Sequence, residues 1–117
     1  MATAVNITEG LTRAATLIMA DCSHLAVGTS EIAATAGDAQ LGTETNRMAA
    51  ANKYQTGNRF QIRGLFTNSN MPTTVEELGL FMNASSGPNS GEMLVKILDE
   101  FVKDSDDLLV VFDVTVS

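Results

Sequence analysis

The sequence is poor in the residues that carry most enzyme chemistry. It holds one cysteine, Cys22, and one histidine, His24. A lone cysteine cannot form a disulfide within the chain, which fits folding in a reducing compartment. HExxH, GxSxG and paired cysteines are missing, which removes the common zinc and nucleophile signatures. Basic residues are also few, seven against fourteen acidic for a formal charge of −7, and they are scattered along the chain. Such a chain lacks the footprint that phosphate neutralisation requires, so nucleic acid is not an expected partner. No apolar run approaches the roughly 20 residues of a membrane span. Met1–Ile7 has neither the basic flank nor the apolar block of a signal peptide, so a soluble product made in a cytoplasm is expected.

Tryptophan is absent, and the aromatics are five Phe and one Tyr. A core must therefore come mainly from Leu, Val, Ile, Ala and Met. The 117 residues suffice for one domain with one core, without disulfide or metal staples.

The hydrophobic pattern predicts one helix followed by strands. Residues 8–20 start with Thr8 as N-cap and Glu9 at the positive end of the dipole, and Leu11, Ala14, Ala15 and Ile18 form a helical stripe. Asp21, Cys22 and Ser23 end it, with Cys22 read as a small, half-buried residue at the helix end. From His24 the period changes to two. A short strand runs to Gly28, residues 29–42 form a loop laid over the surface, and 43–51 form a modest strand. Arg59–Phe66 places Phe60, Ile62 and Phe66 on one face and Arg59, Gln61 and Arg63 on the other. Val75–Met82 groups Leu78, Leu80 and Met82 opposite Glu77, Gly79 and Phe81. After the loop of residues 83–91, Glu92–Val102 fits both a strand and a helix and is read as a strand. Leu108, Val110, Phe112, Val114 and Val116 line one face of a closing strand, expected to lie inside a sheet because an apolar edge invites aggregation. The expected fold is mainly β: an antiparallel β-sandwich of about six strands (24–117), one N-terminal α-helix (8–20) and a short arm (1–7).

Candidate sites are sparse. Cys22 and His24 are two positions apart, which alone does not make a nucleophile and its base. Glu76 and Glu77 alternate across a strand, so they would face opposite ways and not act as an acid–base pair. Asp104, Asp106 and Asp107 could offer oxygen ligands to calcium, but they lack the glycine and the bidentate glutamate of an EF-hand and read as a solvated turn. Gly28-Thr29-Ser30 is not followed by a phosphate-loop lysine. The sequons at Asn6 and Asn83 mean little in a protein that is not secreted. Neither cofactor nor metal is expected, and the chain is not expected to be an enzyme. Arg59, Gln61 and Arg63 form either an exposed polar face or half of a protein contact, where arginine's planar fork is well suited.

The order of segments carries a resemblance. His24-Leu25-Ala26-Val27-Gly28-Thr29-Ser30, then Gly37-Asp38-Ala39-Gln40-Leu41-Gly42-Thr43-Glu44 and Arg47, resemble an "AVGTG" strand leading through an Ala/Ser/Asp loop to "LGxE" and an arginine. Glu76-Glu77-Leu78-Gly79-Leu80-Phe81 with Asn83-Ala84 resembles "EAGLF", and Gly91-Glu92-Met93-Leu94-Val95 resembles "GTML". The Thr-x-Gly-Leu start of the helix and the strand within Asp106–Ser117 also fit. This pattern is similar to small bacteriophage virion proteins and to N-terminal domains of tail or collar fibre proteins. Ser30-Glu31-Ile32 departs from the family's more open Gly/Thr run, and Lys96 lies near, but not on, its usual arginine.

The resemblance implies a non-catalytic assembly module in a virion, made in the host bacterial cytoplasm. It would work through oligomeric contacts with itself and with capsid, neck, tail or fibre proteins, and not with nucleic acid or membrane. No repetitive shaft follows the domain, so the expected placement is an accessory piece at the tail, neck or fibre base. Capsid decoration is the alternative. A carbohydrate-binding host-adhesion module is a second, for which one Tyr and no Trp offer few stacking platforms. Arg47, Arg59, Gln61 and Arg63 are the candidate contact residues.

Overall fold

The computed structural model describes residues 8–32, 35, 37–67, 74–102 and 107–117, with only the backbone of residues 101 and 102. The arm at 1–7 and the acidic positions 104 and 106 lie outside them. Helix α1 spans Thr8–Asp21, and β1 (Cys22–Gly28) follows without a linker. The remaining strands are β2 (Glu44–Ala49), β3 (Asn52–Thr56), β4 (Arg59–Phe66), β5 (Thr74–Met82), β6 (Glu92–Val102) and β7 (Leu108–Thr115). They form two antiparallel sheets, one in the order β2-β1-β5-β6 and the other β3-β4-β7. The β-sandwich with one helix is therefore present, and residues 92–102 are strand.

The strands number seven among the described residues, in line with the expected six or so, and the strand expected at 43–51 ends at Ala49. The chain changes sheets there: the Ala50 amide donates to Ser23 of β1, and the next amide, Ala51, donates to Arg63 of β4. The added strand, β3, is almost wholly exposed. With no apolar face, it leaves no alternation to detect, and pairing with β4 makes it a strand. Its hairpin turns on Gly57, whose φ of 61° suits glycine at the first position of a two-residue loop.

The closing strand does not lie inside a sheet. Among the described residues β7 pairs only with β4 and forms an edge. Its inner residues, Val110 and Phe112, are buried against the opposite sheet, and a sandwich edge meets that requirement as well as a central strand does.

The core between the sheets unites Leu25, Val27, Phe60, Ile62, Phe66, Val75, Leu80, Val110 and Phe112. Helix α1 packs chiefly on β4 and adds Ala15, with Ile18 and Met19 partly buried beside it. The last turn of α1 has no basic residue of its own, and Lys53 of β3 donates to the Ala20 carbonyl there (3.3 Å). Cys22, expected at the helix end, is the first residue of β1 and is fully buried.

β1 is buried on both sides. Ala26, Leu41 and Phe81 form a second, smaller cluster on the face of the four-stranded sheet away from the main core. The β1–β2 connection brings Leu41 there, while Ile32 stays exposed. The division of β5 holds, with Leu78, Leu80 and Met82 toward the main core and Phe81 in the second cluster. A register shift between Val75 and Glu77 turns Val75 to the core side as well.

Candidate functional site

Three arrangements of polar side chains stand out. The first is centred on Glu77, which is fully buried on the outer side of the four-stranded sheet. Its carboxylate receives three backbone amides from the β1–β2 connection: Ser30 at 3.0 Å, Gly42 at 2.8 Å and Thr43 at 2.8 Å. The Lys96 ammonium, on β6, lies 3.9 Å from the same carboxylate and 3.6 Å from Asp38. A buried carboxylate is tolerated only when donors and a counter-charge replace its water, and both are present. The approach is close enough to exclude side chains. A Cβ on Gly28 would come 2.4 Å from a Glu77 oxygen, and one on Gly42 would come 2.3 Å from Ser30 Oγ.

The second arrangement is built on Arg47 of β2, whose side chain is only 3% exposed. Its guanidinium grips Glu44 through two bonds, at 2.9 and 2.8 Å. It also donates to the Ser85 carbonyl at 3.0 Å and to the carbonyl and hydroxyl of Ser90 at 3.2 and 2.9 Å, and it stacks over the Phe81 ring. Arg47 thus joins the loop of residues 83–91 to β2. Together these two clusters use Gly28, Ser30, Gly42, Glu44, Arg47, Glu77 and Phe81, with Leu41 packed on Phe81 beside them. The segments that carry the family resemblance, far apart in sequence, meet here, and each of these residues is engaged within the chain.

The third arrangement lies on the outer face of the three-stranded sheet and holds the other three candidate contact residues. The register aligns Thr56, Arg59 and Thr115, then Tyr54, Gln61 and Asp113, then Asn52, Arg63 and Val111, with Leu65 and Leu109 beyond. Arg59 forms a fork on Asp113, its Nε donating to Oδ1 at 2.7 Å and its NH2 to Oδ2. The pairing raises the Arg59 pKa and lowers that of Asp113. Arg63 lies over the Tyr54 ring, 4.8 Å from its centroid, and donates to Gln61 at 3.1 Å. Its Nε is buried without an acceptor among the described residues. Tyr54, Thr56, Arg59, Phe60, Gln61 and Arg63 line a shallow depression of about 440 Å³. Arg47 is not part of this surface; it lies on the other sheet.

The remaining reactive groups are quiet. Burial pushes the Cys22 thiol up to about 11, so it is not a thiolate at neutral pH. His24 Nδ1 is 3.0 Å from Ser23 Oγ, and burial, with the nearby Arg47 charge, lowers the imidazole pKa. Among the described residues no group of three or more His, Cys, Asp or Glu could hold a metal ion, and no helix is long and apolar enough to cross a membrane.

No protein-family model and no curated protein matches the chain.

Sequence reasoning missed Glu77, Lys96 and Tyr54. Glu77 did carry a signal, since it shares a strand face with Gly79 and Phe81, and a carboxylate on an apolar face needs partners. Tyr54 is the sole tyrosine. Lys96 stands out only for its place near an arginine of the resembling pattern, and nothing local marks it as the partner of Glu77.

Proposed function

We propose that the chain is a non-catalytic assembly module of a bacteriophage particle, placed at the tail, neck or fibre base and working through contacts with other virion proteins. The placement in a particle rests on the resemblance of its ordered segments to virion proteins. The observation that carries the interaction reading is the outer face of β3-β4-β7. It presents Tyr54, Arg59, Gln61 and Arg63 beside Leu65, Leu109 and Val111, with Tyr54 52% and Leu109 56% exposed. Aromatic and arginine side chains next to exposed aliphatics are the composition of protein contacts, and a sheet face of this kind gains by being covered. The first two polar clusters, around Glu77 and Arg47, spend their hydrogen bonds within the chain.

Capsid decoration uses the same physics, a modest patch repeated by symmetry. The test is the copy number of the chain in purified particles, by quantitative mass spectrometry against the major capsid protein. A few to a few dozen copies is the expected result. A ratio near one to one would make it a decoration protein, and absence from the particle would overturn the proposal.

A further inference from the structure

The four sheet edges differ in how they are defended against pairing with another strand. Natural edges carry charges, bulges or prolines, or are kept short, because an open row of amides and carbonyls is a template for a further strand. β2 has Glu44 and Arg47 and a register break opposite Val27/Gly28. β3 is five residues long and carries Lys53. β6 has Glu92, Lys96, Asp99 and Glu100, and its pairing with β5 shifts register twice. β7 has none of these devices over Leu108–Phe112. Its register with β4 runs unbroken from Arg59↔Thr115 to Phe66↔Leu108, and its one charge, Asp113, is held by Arg59. The edge least defended is therefore also the most apolar.

We infer that the β7 edge is a contact between two copies of this chain, which pair antiparallel through β7 and join two three-stranded sheets into one of six. The occupant follows from the sequence of the strand itself. With Val110 of each copy on the two-fold axis, Leu109 of one copy falls opposite Val111 of the other, and Leu108 opposite Phe112. Both faces of the junction are then apolar against apolar. On the outer face Leu65, already beside Leu109, extends the patch, so each copy contributes Leu65, Leu109 and Val111 to one strip. An isologous contact requires this kind of self-complementarity. Cross-strand pairs of β-branched and aliphatic residues are what stabilise such a junction. At its ends Asp113 meets Asp107 of the other copy. The fork of Arg59 on Asp113 offsets that repulsion, so Arg59 supports the pairing without crossing the junction.

The inference rests on the assembly reading for its purpose but not for its geometry, and it is tested on the purified 117-residue chain. Native mass spectrometry and sedimentation velocity are expected to show a species of twice the 12.4 kDa chain mass. Val111→Lys and Leu109→Lys, on outward-facing positions of the edge, should each shift it to monomer with little change in melting temperature. Leu17→Lys, on the exposed side of α1, should leave the dimer intact. Hydrogen exchange should show the β7 amides protected in the dimer and exposed in the Val111→Lys monomer. A wild-type monomer at every concentration, or a dimer that survives both β7 substitutions, would overturn the inference. So would protected β7 amides in a monomer, which would mean that the chain covers its own edge. None of these outcomes bears on the copy number in the particle, so the two proposals fail separately.

Discussion

Glu77 and Lys96 lie 3.9 Å apart on adjacent strands, the carboxylate wholly buried and the lysine side chain 5% exposed. The pair pins the β1–β2 connection to the sheet, because the same carboxylate receives the amides of Ser30, Gly42 and Thr43. A carboxylate in the middle of a loop's hydrogen bonds does what a strand ladder would do elsewhere: it satisfies backbone donors that the fold withdraws from water.

Removing that carboxylate should loosen the connection more than the core. Glu77→Ala strands three amides and a near-buried ammonium, and is expected to cost about 3–5 kcal/mol in urea unfolding. Glu77→Gln, which keeps one acceptor, should cost less. In both variants limited proteolysis should cut first within residues 29–43. Gly42→Ala should give a similar pattern at about 1–3 kcal/mol, through the clash with Ser30.

Arg47→Lys is a demanding substitution for the same kind of reason. Lysine keeps the charge but loses the two-bond grip on Glu44, the simultaneous reach to Ser85 and Ser90, and the planar contact with Phe81. The expected cost is about 2–3 kcal/mol, from charge-assisted bonds lost in a buried site. Amide exchange should speed up in residues 83–91 and remain slow in β4.

Alternate residues of β7 should respond in opposite ways. Val110→Asp and Phe112→Asp put an unpaired carboxylate into the core and should abolish soluble expression. Val111→Asp, between them and 44% exposed, should leave the fold intact. Equal tolerance of all three would show that the strand does not present this face to the core.

Stability should change with pH in two opposed ways. Asp113, gripped by Arg59, and Asp38, which accepts from the backbone and hydroxyl of Thr35, titrate below the ordinary aspartate value of 3.8. Each adds stability that is present above that value and lost as pH falls through the lower folded-state pKa. Glu100 runs the other way. A hydrogen bond with Glu31, reinforced by that residue's charge, raises it above the ordinary 4.5, so its ionisation opposes folding at neutral pH. Glu100→Gln is expected to raise the melting temperature modestly at neutral pH and to leave it unchanged near about pH 4, below both of its pKa values. Arg59→Ala should lower the melting temperature at neutral pH, and that loss should fade as Asp113 protonates. All of these groups are at the surface, so the shifts should be small and sensitive to salt.

What the sequence determined by itself is the set of elements that bury a face. α1, β4, β5 and β7 each carry an apolar stripe at a period of 3.6 or 2, and burial of that stripe is a local property of the residues. The same pattern placed Phe60, Ile62 and Phe66 in the core and Arg59, Gln61 and Arg63 on one outer face. What depended on partners distant in sequence was decided only by the tertiary structure. β3 has no buried face and is a strand because β4 pairs with it. β7 is an edge because the strand before it belongs to the other sheet. Arg47 showed no partner in its local pattern, and Glu44, Phe81, Ser85 and Ser90 converge on it. Glu77 looked like one of two unremarkable carboxylates until Ser30, Gly42, Thr43 and Lys96 arrived from other segments. Periodicity records which side of an element avoids water. It does not record which polar group another segment will bring to meet it.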